Sequence, residues 1–337
     1  MQKRKRVIWV DIAKGITIFL VVFGHAIQGI VSSKGLDISG PNWSLFFGKQ
    51  LIYGFHMPAF FVMSGFFTGY IHRKFIGTLT EKAVRLLKPY FVWSFITASV
   101  MQAFSSYTNF GMGIRDFLMS PIIPFSEYWY LYVLFFISVF YLIIYRIFGY
   151  RTVWAGLFAG IILFLAEPIL PNVWIFKTFS RFLVYYAIGA IIFKRLDLVN
   201  KIFYKKESMI LLASIIAFSI VNIILYELLM YNSHIALYYY SFVTSFFGAA
   251  FIFALSMKVG QLNNPLTKFF QWLGYNSMQV YVMHLVPLAG ARVVLMKLGI
   301  ISNYWMLSVT ITIISLAICC VAIIIIKKIG ICKLLFG

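Results

Sequence analysis

Ten apolar runs constrain the fold of this chain more than any other feature of the sequence. Each is close to the length of about 17–25 residues that an α-helix needs to cross a bilayer. They occupy residues 7–31, 46–70, 86–105, 128–148, 152–167, 178–194, 208–230, 235–257, 273–297 and 303–327. Charged residues make up 11% of the chain, whereas soluble domains carry about 25%. The sequence predicts an all-α, polytopic membrane protein of about ten transmembrane helices, with residues 1–337 in a single domain.

The positive charge indicates how the helices are oriented. In a soluble protein a net charge of +20 would suggest binding to nucleic acid. In a membrane protein, Lys and Arg collect in the cytoplasmic connections instead. With the N-terminus placed in the cytoplasm, 21 of the 29 Lys and Arg residues fall in the inner connections or at the inner ends of the runs. We therefore expect both termini in the cytoplasm, membrane lipids as neighbours of the helices, and no nucleic acid as a partner.

Ionisable residues interrupt the first run. Asp11 and Lys14 are three residues apart, and Lys14 and His25 are eleven apart, so both pairs share one side of a helix. Charged groups inside membrane spans often mark functional sites. At 1.5 Å per residue, Lys14 and His25 lie about 16 Å apart, which excludes direct contact. A structural Asp11–Lys14 ion pair explains this pattern as well as a functional site does.

Two more histidines precede prolines inside apolar runs, His56 before Pro58 and His284 before Pro287. Proline lacks a backbone N–H, so each run is expected to kink and to free a carbonyl that needs a new donor. A nearby histidine is a suitable donor, which is the simplest explanation of both. The five histidines and three cysteines show neither metal-ligand nor disulfide spacing, so we expect no metal site.

Three cations, Lys82, Arg85 and Lys88, are spaced three apart at the predicted cytoplasmic entry of the third run. The general enrichment of positive charge on the inner side explains them adequately. A ligand that carries phosphate groups is the more specific interpretation, because cations of this kind bind phosphate oxygens strongly.

Three further polar or aromatic residues lie at the predicted outer side. Glu127 lies just before the fourth run, Trp129 lies at its start, and Arg181 lies near the start of the sixth run. Glu127 and Arg181 form an ion pair in one interpretation and contact a sugar in the other. Trp129 suits an interfacial aromatic belt as well as a binding site.

Several segments, taken in order, resemble the acyltransferase 3 family of integral membrane acyltransferases, especially its fucose 4-O-acetylase-like branch. The resemblance covers nearly the whole chain and depends on the order and spacing of five segments. They are "DIAKGITIFLVVFGH" (11–25), "FHMPAFFVMSGFF" (55–67), "RLLKPYFVW" (85–93), "EYWYLYVLFF" (127–136) and "LGYNSMQVYVMH" (273–284).

The resemblance implies transfer of an acetyl group from acetyl-CoA to a hydroxyl of a cell-surface or exported glycan. It makes His25 the catalytic residue and places Lys14 where the family more often has arginine, with Asp11 positioning Lys14. Lysine keeps the charge but loses the planar, bidentate geometry of arginine. The resemblance is to the branch without the soluble esterase-like domain of larger relatives, so we expect the helical domain to complete the transfer alone or with a separate partner. We expect a multi-pass protein of a cell membrane, the cytoplasmic membrane of a bacterium.

Under this hypothesis, Lys82, Arg85 and Lys88 hold the CoA phosphates, and His56, Glu127, Trp129 and Arg181 lie near the acceptor or the acyl group. Acetyl-CoA is a co-substrate, and no tightly bound cofactor is expected. His25 acts either as a general base on the acceptor hydroxyl or as a transiently acylated relay. The main alternative is a transporter of a glycan or lipid-linked sugar without chemistry, which polar residues and kinked helices also suit. The sequence does not specify the oligomeric state.

Overall fold

The chain folds into helices connected by short turns. The computed structural model describes residues 7–33, 43–66, 68, 75–107, 111–230 and 234–337, and within them the regular elements are helical. The α-helices are α1 (Ile8–Val31), α2 (Trp43–Tyr53), α3 (His56–Gly65), α4 (Phe75–Ala103), α5 (Ile114–Leu118), α6 (Trp129–Phe148), α7 (Thr152–Ala166), α8 (Trp174–Lys194), α9 (Leu196–Met230), α10 (His234–Val259), α11 (Pro265–Tyr275), α12 (Ser277–Met283), α13 (Leu285–Leu298), α14 (Tyr304–Ile329) and α15 (Cys332–Phe336).

Six helical segments of the described chain are long and apolar enough to cross a membrane. They are Ile8–Val31, Ser126–Ile169, Trp174–Lys194, Leu196–Ile224, Leu237–Val259 and Tyr304–Ile329. The pair α12 and α13, bent by 51°, makes a seventh if both cross together. The prediction of an all-α, multi-pass membrane protein is confirmed, whereas the count of ten helices is not. The second predicted run is split between α2 and α3, and the third lies in α4, whose first turns carry charged side chains. The cytoplasmic placement of the termini stays a prediction.

The runs that contain Pro58 and Pro287 are broken, as the sequence predicts, whereas Pro89 lies inside the continuous helix α4. The second run breaks after Tyr53, and the carbonyl of Gly54, four residues before Pro58, accepts a hydrogen bond of 2.6 Å from the Ser245 hydroxyl. That carbonyl is the one that Pro58 leaves without its usual helical donor. The ninth run bends at His284, whose carbonyl accepts from the Ser315 hydroxyl at 3.2 Å in addition to the Leu288 N–H at 3.0 Å. A neighbouring helix, α10, therefore supplies the donor that the break before Pro58 requires.

Helix α1 packs against α2, α3, α10, α11, α13 and α14, so it lies at the centre of the described helices. Its first half touches α11 backbone to backbone, because a side chain at Gly15 would collide with the Phe270 carbonyl and one at Gly274 with the Asp11 carbonyl. Farther along α1, the Arg292 guanidinium of α13 donates to the Ser33 hydroxyl at 2.9 Å. The segment from α11 to α13 therefore runs parallel to α1 and holds it along its length.

Other glycines bring the remaining helices together. A side chain at Gly65 of α3 would meet the backbone of α8. A side chain at Gly160 of α7 would meet Val184, which is also in α8. Gly156, four residues before Gly160, lies against the Tyr141 hydroxyl of α6. These glycines therefore allow close helix packing.

Candidate functional site

His25, in the second half of α1, is the centre of a buried polar cluster. Its imidazole is 7% exposed, and its Nδ1 lies 2.7 Å from the Tyr53 hydroxyl at the end of α2. Its Nε2 lies 3.7 Å from a carboxylate oxygen of Glu127, in the turn before α6. One ring nitrogen thus faces a neutral hydroxyl and the other a carboxyl group. In the neutral imidazole either nitrogen can carry the proton, so the Tyr53 hydroxyl either accepts from Nδ1 or donates to it.

The two helix breaks bring two more histidines to this cluster. His56 opens α3, and its Nδ1 donates to the Ile52 carbonyl at 2.7 Å. His284 lies at the bend between α12 and α13, and its Nδ1 donates to the Tyr281 carbonyl, also at 2.7 Å. Each histidine therefore donates to a carbonyl beside a break, although the carbonyl that Pro58 frees is that of Gly54, to which the Ser245 hydroxyl donates. Because Nδ1 carries the proton in each neutral ring, each Nε2 keeps a lone pair.

His284 is closer to His25 than the sequence indicates. The two ring centroids are 5.3 Å apart, and the Nε2 of His284 is buried with no hydrogen-bond partner among the described residues. On the other side, the Tyr53 ring lies 5.5 Å from the His25 ring and 5.0 Å from the His56 ring. Tyr53 therefore connects two histidines that are far apart in sequence.

The turn that carries Glu127 is strained and firmly anchored. Ser126 adopts a φ of 45°, in the left-handed region that residues other than glycine seldom occupy. The Tyr281 hydroxyl donates to the Glu127 carbonyl, and the Tyr128 hydroxyl donates to the Val282 carbonyl at 2.9 Å. Strain of this kind persists only where the surroundings hold it, and it concentrates at functional sites.

Two cavities meet at His25 and Glu127, which line both of them. The first has a volume of about 250 Å³, and its wall is rich in polar and aromatic side chains. We call it the polar cavity, and it is also lined by Tyr53, His56, Trp129, Arg181, Tyr185, Ser241, Ser245 and Tyr281. The second has a volume of about 460 Å³ and is formed mainly by apolar residues of α4 and α13. We call it the apolar cavity.

The polar cavity contains all the outer residues that the sequence singles out, although Arg181 has a different partner from the one considered. Arg181 pairs with Glu167 at 2.7 Å rather than with Glu127, and its guanidinium lies 5.1 Å from the centre of the Tyr238 ring. The Glu167 side chain is 4% exposed, so Arg181 balances a buried charge and also lines the cavity. Trp129 stacks at an angle on Phe182, with ring centroids 5.2 Å apart.

Asp11 and Lys14 lie in the first turns of α1, away from both cavities. Between Lys14 and His25, the same side of the helix carries Ile18 and Val21, which are buried in the apolar core. The side of α1 that Lys14 and His25 share therefore has two polar ends separated by apolar residues. Metal-ligating side chains do not gather here: the described residues include no group of three or more His, Cys, Asp or Glu that could hold an ion.

The cation cluster of α4 is also separate from the cavities. Arg85 pairs with Glu81 at 3.3 Å, and the Lys88 amine donates to the Lys333 carbonyl of α15 at 2.6 Å. Lys82 also has an interaction partner within the protein. Lys88 lies nine residues before Thr97, which lines the apolar cavity. The two residues are therefore about 14 Å apart along α4.

Tyr281, Tyr53 and Ser245 are among the members of the site that the sequence-based prediction leaves out. Tyr281 is three residues before His284 and thus on the same helix face, a spacing that could have found it. Tyr53 has the same spacing before His56, whereas Ser245 carries no such signal, because its place in the cluster depends on how α10 packs beside the break at Gly54.

Comparison with known proteins agrees with this architecture. A family model described as an acyltransferase domain, that of the acyltransferase 3 family, matches residues 7–324. Nodulation protein NolL of Sinorhizobium fredii is 34% identical over 125 residues, which are 36% of this chain and 32% of that protein. Nodulation protein NolL of Mesorhizobium japonicum is 41% identical over 85 residues, 25% of this chain and 21% of that protein.

The aligned segments thus span a third or less of these relatives. No solved structure matches the chain. The match to the family model, in contrast, extends from the start of α1 to the last turns of α14 and includes every residue that lines the two cavities. The chain belongs to the acyltransferase 3 family.

Proposed function

We propose that the protein is a membrane O-acyltransferase that moves acetyl from acetyl-CoA to a hydroxyl of a cell-surface or exported glycan. The observation that carries this proposal is the position of His25 on the wall shared by the two cavities, between the Tyr53 hydroxyl and the Glu127 carboxyl. An acyl transfer needs a base that two substrates can reach at once, and a residue common to two cavities meets this requirement.

His25 can act as the base in the tautomer that donates from Nδ1 to the Tyr53 hydroxyl oxygen. Nε2 then carries the lone pair and accepts the proton of the acceptor hydroxyl. The acceptor oxygen bonds to the acetyl carbon, the carbon–sulfur bond of the thioester breaks, and the proton passes from His25 to the CoA thiolate. Glu127 lies 3.7 Å from Nε2, where a carboxylate stabilises the imidazolium that forms in between. The acylated-histidine route uses the same Nε2 as nucleophile.

The polar cavity is the better place for the sugar. Aromatic faces beside a few hydrogen-bonding groups are what a sugar ring requires, and Trp129, Arg181 and Ser245 supply both. His56 presents its Nε2 lone pair as a further acceptor. The donor's nucleotide phosphates are assigned to Lys82, Arg85 and Lys88, at the end of α4 that the charge distribution places in the cytoplasm. We place the protein in a bacterial cytoplasmic membrane.

The test is release of free CoA by the purified full-length chain in lipid nanodiscs with radiolabelled acetyl-CoA. The parent protein is expected to release CoA in step with acetylation of glycan fragments from the producing cells, and His25→Ala to lose both. Thermal melting of the two proteins checks that the variant is folded. Acceptor uptake without CoA release would overturn the proposal and favour the transporter.

A second measurement identifies the reaction in cells. Surface polysaccharide from cells that carry parent or His25→Ala protein is compared by proton NMR before and after mild alkali, which removes O-acetyl groups. An alkali-labile acetyl signal that persists in the His25→Ala cells would show that His25 is not the base.

A further inference from the structure

The apolar cavity is far larger than an acetyl group requires. Its volume is about 460 Å³. An engineered apolar cavity of only about 150 Å³ in an unrelated protein holds a benzene ring. The cavity is also elongated, because Thr97 and Phe104, which both line it, are seven residues apart, about 10 Å along the axis of α4. A linear chain of several carbons fits such a space, whereas a two-carbon group leaves most of it unfilled.

The walls of this cavity are mainly hydrocarbon. Val100 and Met101 of α4 line it together with Phe104, which follows the end of that helix, and Val286 and Val293 line it from α13. Surfaces of this kind gain free energy when they cover another hydrocarbon, and they offer a sugar few hydrogen-bond partners.

Polar side chains of the wall are engaged with the protein itself. The Thr97 hydroxyl lies 2.6 Å from the Tyr128 hydroxyl, whose own proton goes to a backbone carbonyl, so Thr97 is the donor in this pair. The Gln28 amide donates to the Ser32 hydroxyl at 2.6 Å, and the Arg292 guanidinium donates to groups at the end of α1. An occupant of the cavity therefore meets mainly hydrocarbon.

The cavity leads from the base to the lipid-facing surface. His25, which is 7% exposed, lines one end, and Phe104, which is 57% exposed, lines the other. In a membrane-spanning protein, exposed apolar side chains face lipid, so the far end of a bound chain stays in hydrocarbon. Along α4, Thr97 lies between Lys88 and Phe104. A thioester at His25 thus has its nucleotide toward the cations of α4 and its acyl tail toward Phe104.

From these observations we infer that the apolar cavity is the acyl pocket and that it admits linear acyl groups several carbons longer than acetyl, such as hexanoyl. This inference rests on the proposed function and widens its donor class from acetyl-CoA to longer acyl-CoA thioesters. The acceptor sugar keeps the polar cavity, so each substrate has its own side of His25. The acceptor oxygen bonds to the acyl carbonyl carbon, the carbon–sulfur bond breaks, and the acceptor proton passes through His25 to the CoA thiolate.

Gly290 provides the means to test this. It lines the cavity on α13, and a Cβ there would meet no atom within 4 Å, so Gly290→Leu adds bulk where the backbone leaves room for it. Gly77, near the start of α4, is equally open and lines neither cavity, so Gly77→Leu is the matched control. Val293→Phe is a second blocking variant that covers the case of a Gly290→Leu protein that does not fold.

The first measurement is the binding of two thioethers, which cannot transfer an acyl group, to the full-length protein in nanodiscs. S-Hexyl-CoA should bind the parent and Gly77→Leu at least tenfold more tightly than S-ethyl-CoA, because the added methylenes leave water for an apolar wall. Empty nanodiscs correct for partition of the hexyl chain into lipid. In Gly290→Leu and Val293→Phe, the ratio of the two affinities should fall to near one. A ratio near one in the parent, or an unchanged ratio in both blocking variants, would overturn the inference.

The second measurement is transfer. The parent should release CoA from hexanoyl-CoA as well as from acetyl-CoA, and Gly290→Leu should lower kcat/KM at least tenfold more for hexanoyl-CoA than for acetyl-CoA. A parent that transfers acetyl but not hexanoyl would retain the proposed function and overturn the inference. Because the thioethers require no transfer, failure of the proposed function leaves the binding test intact.

A third measurement separates the acyl donor from bilayer lipid. A phospholipid with a photoreactive diazirine in its chain is included in the nanodiscs, and S-hexyl-CoA should suppress any labelling of the α13 residues that line the cavity. Labelling that S-hexyl-CoA does not suppress would assign the cavity to membrane lipid and overturn the inference.

Discussion

The carboxylate of Glu127 lies 3.7 Å from Nε2 of His25, and the two side chains together separate the polar cavity from the apolar one. The Glu127 side chain is 36% exposed, through the cavities that it lines, whereas His25 is buried. A base at such a junction can take a proton from a group in either cavity. The carboxylate beside it then opposes the positive charge that proton transfer creates.

Glu127→Gln is expected to lower kcat by about 10- to 100-fold, since a contact with a charged group contributes about 1.5–3 kcal/mol. KM for acetyl-CoA should change little, because the carboxylate acts on the imidazolium rather than on the bound thioester. CoA release in nanodiscs measures both constants. Glu207→Gln is the matched control, because Glu207 pairs with Lys258 at 2.6 Å and lines neither cavity. An unchanged kcat in Glu127→Gln would contradict the role given to this residue.

Tyr53→Phe is expected to lower kcat by about fivefold to tenfold, because one hydrogen bond to the His25 ring contributes about 1 kcal/mol. The variant keeps the aromatic ring between His25 and His56. The decrease in kcat therefore measures only what the hydroxyl contributes by orienting the imidazole. Tyr239→Phe removes a comparable hydroxyl, which donates to the Leu165 carbonyl at 2.9 Å outside both cavities. If both variants lose the same activity, the Tyr53 hydroxyl has no particular role in catalysis.

Arg181→Met should have two separable effects. It leaves the buried carboxylate of Glu167 without its partner, which costs about 3 kcal/mol and lowers the melting temperature. It also removes a polar group from the polar cavity, which raises KM for the acceptor. The double variant Arg181→Met with Glu167→Gln should recover the melting temperature but not the acceptor KM. Recovery of both would show that Arg181 only stabilises the fold.

The helices and the helix breaks are readable from the sequence because hydrocarbon imposes simple rules on it. Apolar runs must form helices, and Pro58 and Pro287 predict the two breaks beside which His56 and His284 lie. The partner of Arg181 is not readable in this way. Glu127 and Glu167 lie at the same predicted outer side, and only the packing of α7 against α8 decides between them.

The role of Lys14 shows where periodicity misleads. Spacing places Lys14 and His25 on one side of α1, but it does not say what lies between them or against them. Ile18 and Val21 are buried there, and α11 packs closely on the neighbouring face at Gly15. The structure therefore separates the two polar ends of α1.

Gly274→Ala is expected to displace His25 without touching it. A methyl group at Gly274 would collide with the Asp11 carbonyl, so α1 and α11 must move apart. Overpacking of this kind costs about 1–3 kcal/mol. We expect a lower melting temperature together with a lower kcat, because the same helix that moves away from α11 carries His25. Gly77→Ala, at a position with nothing within 4 Å, should change neither quantity. A Gly274→Ala protein that melts early but keeps its full kcat would show that the contact of α1 with α11 supports the fold and not the position of His25.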